Sequence, residues 1–217
     1  MKLLTVSVKK IATEAERRAA LRVLRVTYRR EKHWVDDEAQ VFPDTERTNP
    51  SVSWFLASVG SMPAGVLRVL YDPPVEEYRR YALTLVEASF DIESFLRQNR
   101  LAEIGRFAVR PRFRVSSAVA SHLMRAAAED AARRRCDYFI TDVFEGEQHS
   151  PYEFHRRVLG FQTVATHETG ELHCAHRRVT MLLDLREAYL RLRKRQRRFF
   201  KFLTEGWDES LHRQFSS

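Results

Sequence analysis

Glu103 stands inside an otherwise apolar stretch, LAEIGRFAV over residues 101–109, and Arg106 follows three residues later. A carboxylate carried into an apolar segment becomes a stronger base, because its charged form loses solvent. That suits Glu103 to take a proton from a reacting group. It suits Glu103 equally to be a structural acid paired with Arg106 or Arg68, since a buried carboxylate is as a rule paired. Arg68 and Arg106 carry planar forks that fit a carboxylate, and they fit an internal salt-bridge network just as well. Strand alternation sends Arg106 to the sheet face opposite Glu103 unless a bulge intervenes. His155, on a short helical stretch, is either a proton donor working near neutral pH or an ordinary surface histidine. His149, His167, His173 and His176, with Cys174, do not have the spacing of a metal-ligand set, so no metal is expected.

These residues need a scaffold, and the chain spells out most of one. Residues 2–8 read as an edge strand. Residues 13–32 read as a helix opened by a Thr13/Glu16 capping box, with Ala20, Val23, Leu24, Thr27 and Tyr28 on one face. Residues 35–49 read as a long loop. Residues 52–59 and 64–71 form a hairpin around the turn at Gly60. A mixed excursion over residues 75–100 holds a short helix at 92–98. A strand at 103–109 leads to an Ala-rich helix at 115–135, a strand at 138–144, a short helix at 151–158 and a strand at 179–185. A basic helix at 186–202 and a short tail complete the chain. Strands and helices alternate in the second half, which predicts parallel pairing there.

Composition narrows the class. A chain of 217 residues with 44% hydrophobic and 30% charged residues can bury a full core without disulfides or metal. Its two cysteines, Cys136 and Cys174, fit a reducing compartment. No signal-peptide pattern or membrane-length apolar run is evident, so a cytoplasmic location is expected. The net charge of +8 favours an acidic partner. Much of it lies in residues 186–201, which read as a solvated face or as a docking surface. The absence of a helix-turn-helix or zinc-finger pattern argues against nucleic acid.

Taken in order, the Glu-x-x-Arg strand, RPRFR at 110–114, the Ala-rich helix, the apolar strand and RVLGF at 157–161 resemble the GNAT acyltransferase superfamily. Within it, EIGRFAV at 103–109 is similar to the N-acyl amino acid synthases and the acyl-homoserine-lactone synthases. Arg25, Tyr28 and Trp34, the acidic Asp44 and the Gly65–Arg68 strand match landmarks of that branch. The resemblance implies an α/β (α+β) fold: one GNAT-like domain over residues 1–185 with a central mixed twisted sheet flanked by helices. Residues 186–217 would add a basic helix and tail to it. It implies an N-acyltransferase that moves an acyl group from an acyl-carrier-protein thioester to the amine of an amino acid or similar small molecule. No tightly bound cofactor is implied. The matching residues imply Glu103 as base and His155 as acid. Arg25, Tyr28, Trp34, Arg68, Arg106, Phe107 and Val109 would contact substrate, the 107–109 backbone supplying oxyanion donors. Arg114, Ser116 and Ser117 would hold the phosphopantetheine arm, and Arg191, Lys194, Arg195 and Arg198 would dock the carrier protein. Ser117 and Val119 replace the small residues that let a helix start approach a pyrophosphate, and the Val119 side chain is expected to crowd it. That shifts the expected donor from acyl-CoA to the carrier-bound thioester. A CoA-dependent transferase and a non-catalytic basic adaptor of the same fold are the alternatives. Nothing marks a site for the S-adenosylmethionine that a lactone synthase needs.

Overall fold

The computed structural model describes residues 5–216. The expected edge strand is present as Val6–Lys10, and its expected residues 2–4 lie outside the described part. The architecture is α/β, with a central mixed sheet flanked by helices. The strands are β1 (Val6–Lys10), β2 (Val52–Val59), β3 (Met62–Tyr71), β4 (Thr84–Leu85), β5 (Leu101–Val109), β6 (Tyr138–Phe144), β7 (Gln162–His167) and β8 (Arg178–Asp184). The chain forms two compact units.

The first unit comprises residues 1–70, 105–130 and 172–174. Here β1, β2 and β3 pair antiparallel in sequence order. The first helix, Glu14–Leu24, opens with the expected capping box and buries Ala19, Ala20, Val23 and Leu24. It runs on as a π-helix, Arg25–Glu31, that buries Thr27 and Tyr28. The stretch expected as a loop contains a short helix, Asp44–Thr48. Gly65 in β3 has a steric purpose. A Cβ there would lie 2.9 Å from the Ala108 carbonyl, 2.9 Å from Val119 Cγ1 and 3.1 Å from Leu123 Cδ1. β5 can approach β3 closely only because that side chain is missing.

The second unit comprises residues 71–104, 131–171 and 175–217. Its strand order begins with the first residues of β5 and continues β6-β8-β7-β4. β5 and β6 are parallel from Leu101–Tyr138 to Ile104–Thr141, while β6–β8, β7–β8 and β4–β7 are antiparallel. Parallel pairing here is thus confined to β5 and β6. One sheet face carries Ile140 and Leu182, covered by Tyr78, Ile92 and Leu96 from the excursion. The excursion is pinned at its base. Asp72 N–H donates to the Leu101 carbonyl at 2.8 Å, and Leu101 N–H donates back to Asp72 Oδ1 at 3.1 Å.

Three expectations need correction in this unit. β7 was not anticipated, because Gln, Thr and His interrupt its apolar alternation. The short helix before Gly160 is a π-helix, Phe154–Leu159. The single basic helix is instead Leu185–Arg195 followed by Arg197–Leu203, broken at Gln196, with a further helix at Glu209–Ser216. The break lets the chain fold back so that Phe200, Trp207, Leu211 and Phe215 gather around Tyr189. Aromatic burial outweighs the continuity of one straight helix.

Candidate active site

β5 and β6 place Glu103. Its register partner is Ile140, so the half-buried carboxylate shares the sheet face of Ile140 and, two residues on, Asp142. The helix Val75–Arg80 supplies Tyr78, whose hydroxyl donates to Glu103 Oε2 at 3.1 Å. Burial, with the negative charges of Glu103 and Asp142, pushes the Tyr78 phenol well above its ordinary range. Burial, Asp142, Glu171, Glu103 and Glu77 push the Tyr81 phenol the same way. Both hydroxyls therefore stay protonated, and Tyr78 is a fixed donor that orients Glu103. Asp142 in turn accepts from Thr180 Oγ1 at 2.6 Å and faces His167 Nε2 at 3.3 Å. Tyr81 stacks on the His167 ring, with centroids 4.8 Å apart. Of this set the sequence pointed to Glu103 for chemistry and to His167 only in weighing a metal site. Tyr78 and Tyr81 sit in the irregular excursion, Asp142 in an apolar strand and His167 in the unrecognised β7.

The first unit gathers Tyr28, Trp34, Arg68 and Arg106. Tyr28 and Trp34 meet edge to face at 5.1 Å. The Tyr28 phenol is raised to about 12 by burial, against the opposing pull of Arg106 and Arg68. Arg68 Nη1 lies 3.5 Å from Glu46 Oε1, and Glu46 Oε2 accepts from the Trp54 indole at 2.8 Å. Trp54 itself stacks on Phe42 at 3.8 Å. Arg106 sits at φ 50°. A non-glycine residue there costs on the order of 1 kcal/mol, and such strain gathers at functional positions. It is also the irregularity that simple alternation lacked. The parallel ladder ends at Ile104, just before it, so a period of two does not carry through residue 106. Phe107 and Val109 are half-buried.

Other candidates are held for structure. Arg25 is exposed and donates through Nε to the buried Glu38 carboxylate at 2.5 Å. Arg114 forms a two-pronged pair with Glu31, at 2.5 and 2.9 Å, and donates to the Val109 carbonyl. Ser116 and Ser117 are exposed ahead of the helix Ala118–Arg133. Val119 does not crowd that helix start. It is 3% exposed and points at Gly65, which corrects the steric reason for disfavouring CoA. Lys194, Arg195 and Arg198 are exposed, but Arg191 turns inward to the Leu159 carbonyl. His155 is fully buried against Phe161, and burial drives its ring down to about 3. Such a ring is neutral at pH 7 and has no labile proton to give a departing thiolate. The expected acid role gives way to packing.

A Glu-bearing strand parallel to its neighbour as far as Ile104, a helix starting after a short basic loop, and a mixed sheet make up an arrangement of the GNAT fold. Solved structures share this fold. FeeM, an N-acyl amino acid synthase from uncultured soil microbes, is similar with a TM-score of 0.64 at 19% identity, over 86% of this chain and 94% of that one. The ribosomal-protein-S18-alanine N-acetyltransferase of Escherichia coli gives 0.55 at 11%, over 83% and 94%. The NatC complex bound to Gag peptide and CoA gives 0.54 at 11%, over 82% and 98%. No curated protein matches in sequence. Residues 19–184 match the model of the N-acyl amino acid synthase FeeM family, and the chain belongs to that family.

Proposed function

We propose that this N-acyltransferase moves an acyl group from an acyl-carrier-protein thioester to the amine of an amino acid or similar small molecule. Glu103, oriented by the Tyr78 hydroxyl at 3.1 Å, is the observation that carries the reading. The acceptor arrives as an ammonium and gives one proton to the Glu103 carboxylate. The freed amine attacks the thioester carbon, a C–N bond forms and the C–S bond breaks. The attacking nitrogen gives up a second proton as the thiolate leaves, and the thiol is released protonated. Arg68 and Arg106 would fix the acceptor's carboxylate, with Tyr28 and Trp34 around them. Backbone N–H groups of residues 107–109 would steady the developing oxyanion. Lys194, Arg195 and Arg198 offer the exposed positive charge that an acidic carrier would meet in the cytoplasm.

Acyl-CoA is the second donor reading, and one observation favours it: Val119 points inward, leaving the exposed Ser116 and Ser117 beside the helix start. The deciding experiment supplies purified enzyme with matched acyl-carrier-protein and acyl-CoA donors and an amino-acid panel, and follows products by mass spectrometry. N-acyl amino acid should form faster from the carrier. Glu103→Gln should lower kcat by roughly 10²–10⁴-fold. Full activity in that variant sinks the base assignment. Faster turnover with CoA reverses the donor.

A further inference from the structure

Many arginines on the surface of this chain are neutralised from within it. Arg17 meets Glu14, Arg47 meets Asp44, Arg79 meets Glu93 and Arg177 meets Glu145. One stretch is different. Arg193, Lys194, Arg195, Arg197, Arg198 and Lys201 are all exposed. Among the described residues none of these six makes an ion pair or donates a side-chain hydrogen bond. Glu187 is the one acid between residues 185 and 203. Six cations within residues 193–201 repel one another, and anions from outside the chain relieve that repulsion.

The stretch is not purely polar. Leu190, on the helix Leu185–Arg195, is 40% exposed. Arg186 lies four residues before it, Arg193 three after and Lys194 four after, so these cations are its neighbours on the helix surface. The core side of the same helix is set by the buried Ala188, Tyr189 and Leu192. The helix Arg197–Leu203 repeats the arrangement. Phe200 turns in to meet Tyr189 edge to face at 5.0 Å, and Leu203 is buried. Phe199 and Phe202 stay half-buried, their rings stacked with centroids 6.2 Å apart, beside the exposed Arg197, Arg198 and Lys201. Each helix thus sets apolar side chains among cations, outside the face that packs on the core.

Cations with apolar side chains between them fit the boundary of an anionic bilayer, where phosphates meet the charges and the apolar groups enter the acyl region. We propose that the helices Leu185–Arg195 and Arg197–Leu203 form a peripheral docking surface for a membrane bearing anionic phospholipid headgroups. Arg193, Arg197 and Lys201 meet the phosphates, and Leu190, Phe199 and Phe202 enter the interface. No described helix is long and apolar enough to cross a membrane, and the contact is with the membrane surface. The proposal goes beyond the transferase reading and needs neither its donor nor its acceptor. The carrier reading draws on the charge of Lys194, Arg195 and Arg198 alone and gives the apolar side chains no task, so the two readings can be tested apart.

The test sediments the full chain with vesicles of phosphatidylcholine alone and of phosphatidylcholine mixed with phosphatidylglycerol, at low and high salt. The anionic vesicles should bind roughly tenfold more tightly or better, and salt should weaken that binding. Arg193→Gln, Arg197→Gln and Lys201→Gln together should weaken it on the order of a hundredfold, about fivefold per charge. Leu190→Ser, Phe199→Ser and Phe202→Ser together should weaken vesicle binding several-fold, while acyl transfer in vesicle-free solution stays unchanged. Equal binding to neutral and anionic vesicles overturns the proposal, as does unchanged binding in either variant. A parallel fall of vesicle-free transfer in the apolar variant overturns it in favour of carrier docking. Binding of a DNA duplex without binding of anionic vesicles overturns it in favour of nucleic acid. Should a variant fail to fold, backbone hydrogen exchange of the wild type decides: slowing at residues 190–203 on adding anionic vesicles supports the proposal, and unchanged exchange overturns it. Absence of acyl transfer in the wild-type protein, with vesicle binding intact, would sink the transferase reading and leave this surface standing.

Discussion

Replacing His155 with leucine separates its expected role as an acid from its observed place in the core. The ring is fully buried against Phe161, with centroids 4.7 Å apart. Burial lowers it from 6.5 to about 3. The sign follows from which state binds the proton. In the unfolded chain the ring titrates near 6.5, while the folded protein resists protonation down to about 3. Its stabilising contribution is therefore whole above pH 6.5 and is lost as pH falls toward 3. The slope is about 1.4 kcal/mol per pH unit, and the loss at pH 5 is about 2 kcal/mol. His155→Leu has no such titration. At pH 7.5 the variant pays a packing cost of about 1–2 kcal/mol for changed shape. By pH 5 that deficit should shrink to nearly zero or reverse. Urea unfolding of both proteins at pH 7.5, 6 and 5, with m-values checked for constancy, measures this directly. Other acid-sensitive groups are common to both proteins and cancel in the difference. Parallel stability-versus-pH curves would refute the reasoning. A fall of more than 100-fold in kcat, with folding intact, would restore the acid role.

Gly65→Ala should destabilise the fold by about 1–3 kcal/mol through overpacking, lowering Tm by roughly 2–4 °C per kcal/mol. The new methyl would stand 2.9 Å from both the Ala108 carbonyl and Val119; a calorimetric Tm within 1 °C of wild type would mean that the strands separate freely. The two thiols should also differ. Cys136 is buried and pushed up to about 12, whereas Cys174 is half-buried. A thiol reagent at pH 8 should label one thiol per chain in the native protein and two in guanidinium, with rapid double labelling of native protein counting against the buried assignment.

Local pattern carried the regular elements well, because their signals are dense. The capping box at Thr13, the hairpin around Gly60 and the helix at Ile92–Gln98 all lie where sequence periodicity puts them. Glu103 could be singled out because one acid in an apolar strand is conspicuous. Its partners could not. Tyr78 reaches it from 25 residues away through an irregular segment, and β7 has too mixed a composition to show period two. Val119 shows a different limit. A β-branched residue at a helix start reads as an obstruction, but only the helix's rotation decides whether it faces a ligand or the core. The break at Gln196 has no glycine or proline to announce it; the demand of distant aromatic residues for burial sets it.

The clasp between Asp72 and Leu101 bears on how such an enzyme diversifies. The two residues close the excursion at its root through paired backbone and side-chain hydrogen bonds. Loop-closure entropy grows only slowly with length, so residues between a fixed pair of anchors can lengthen or shorten at small thermodynamic cost. That segment carries Tyr78 and Tyr81, which border Glu103 and His167. Residues 73–100 can thus change in length while the strands that anchor them stay as they are. Changes there would alter the surroundings of Glu103 while leaving the ladder beneath it untouched.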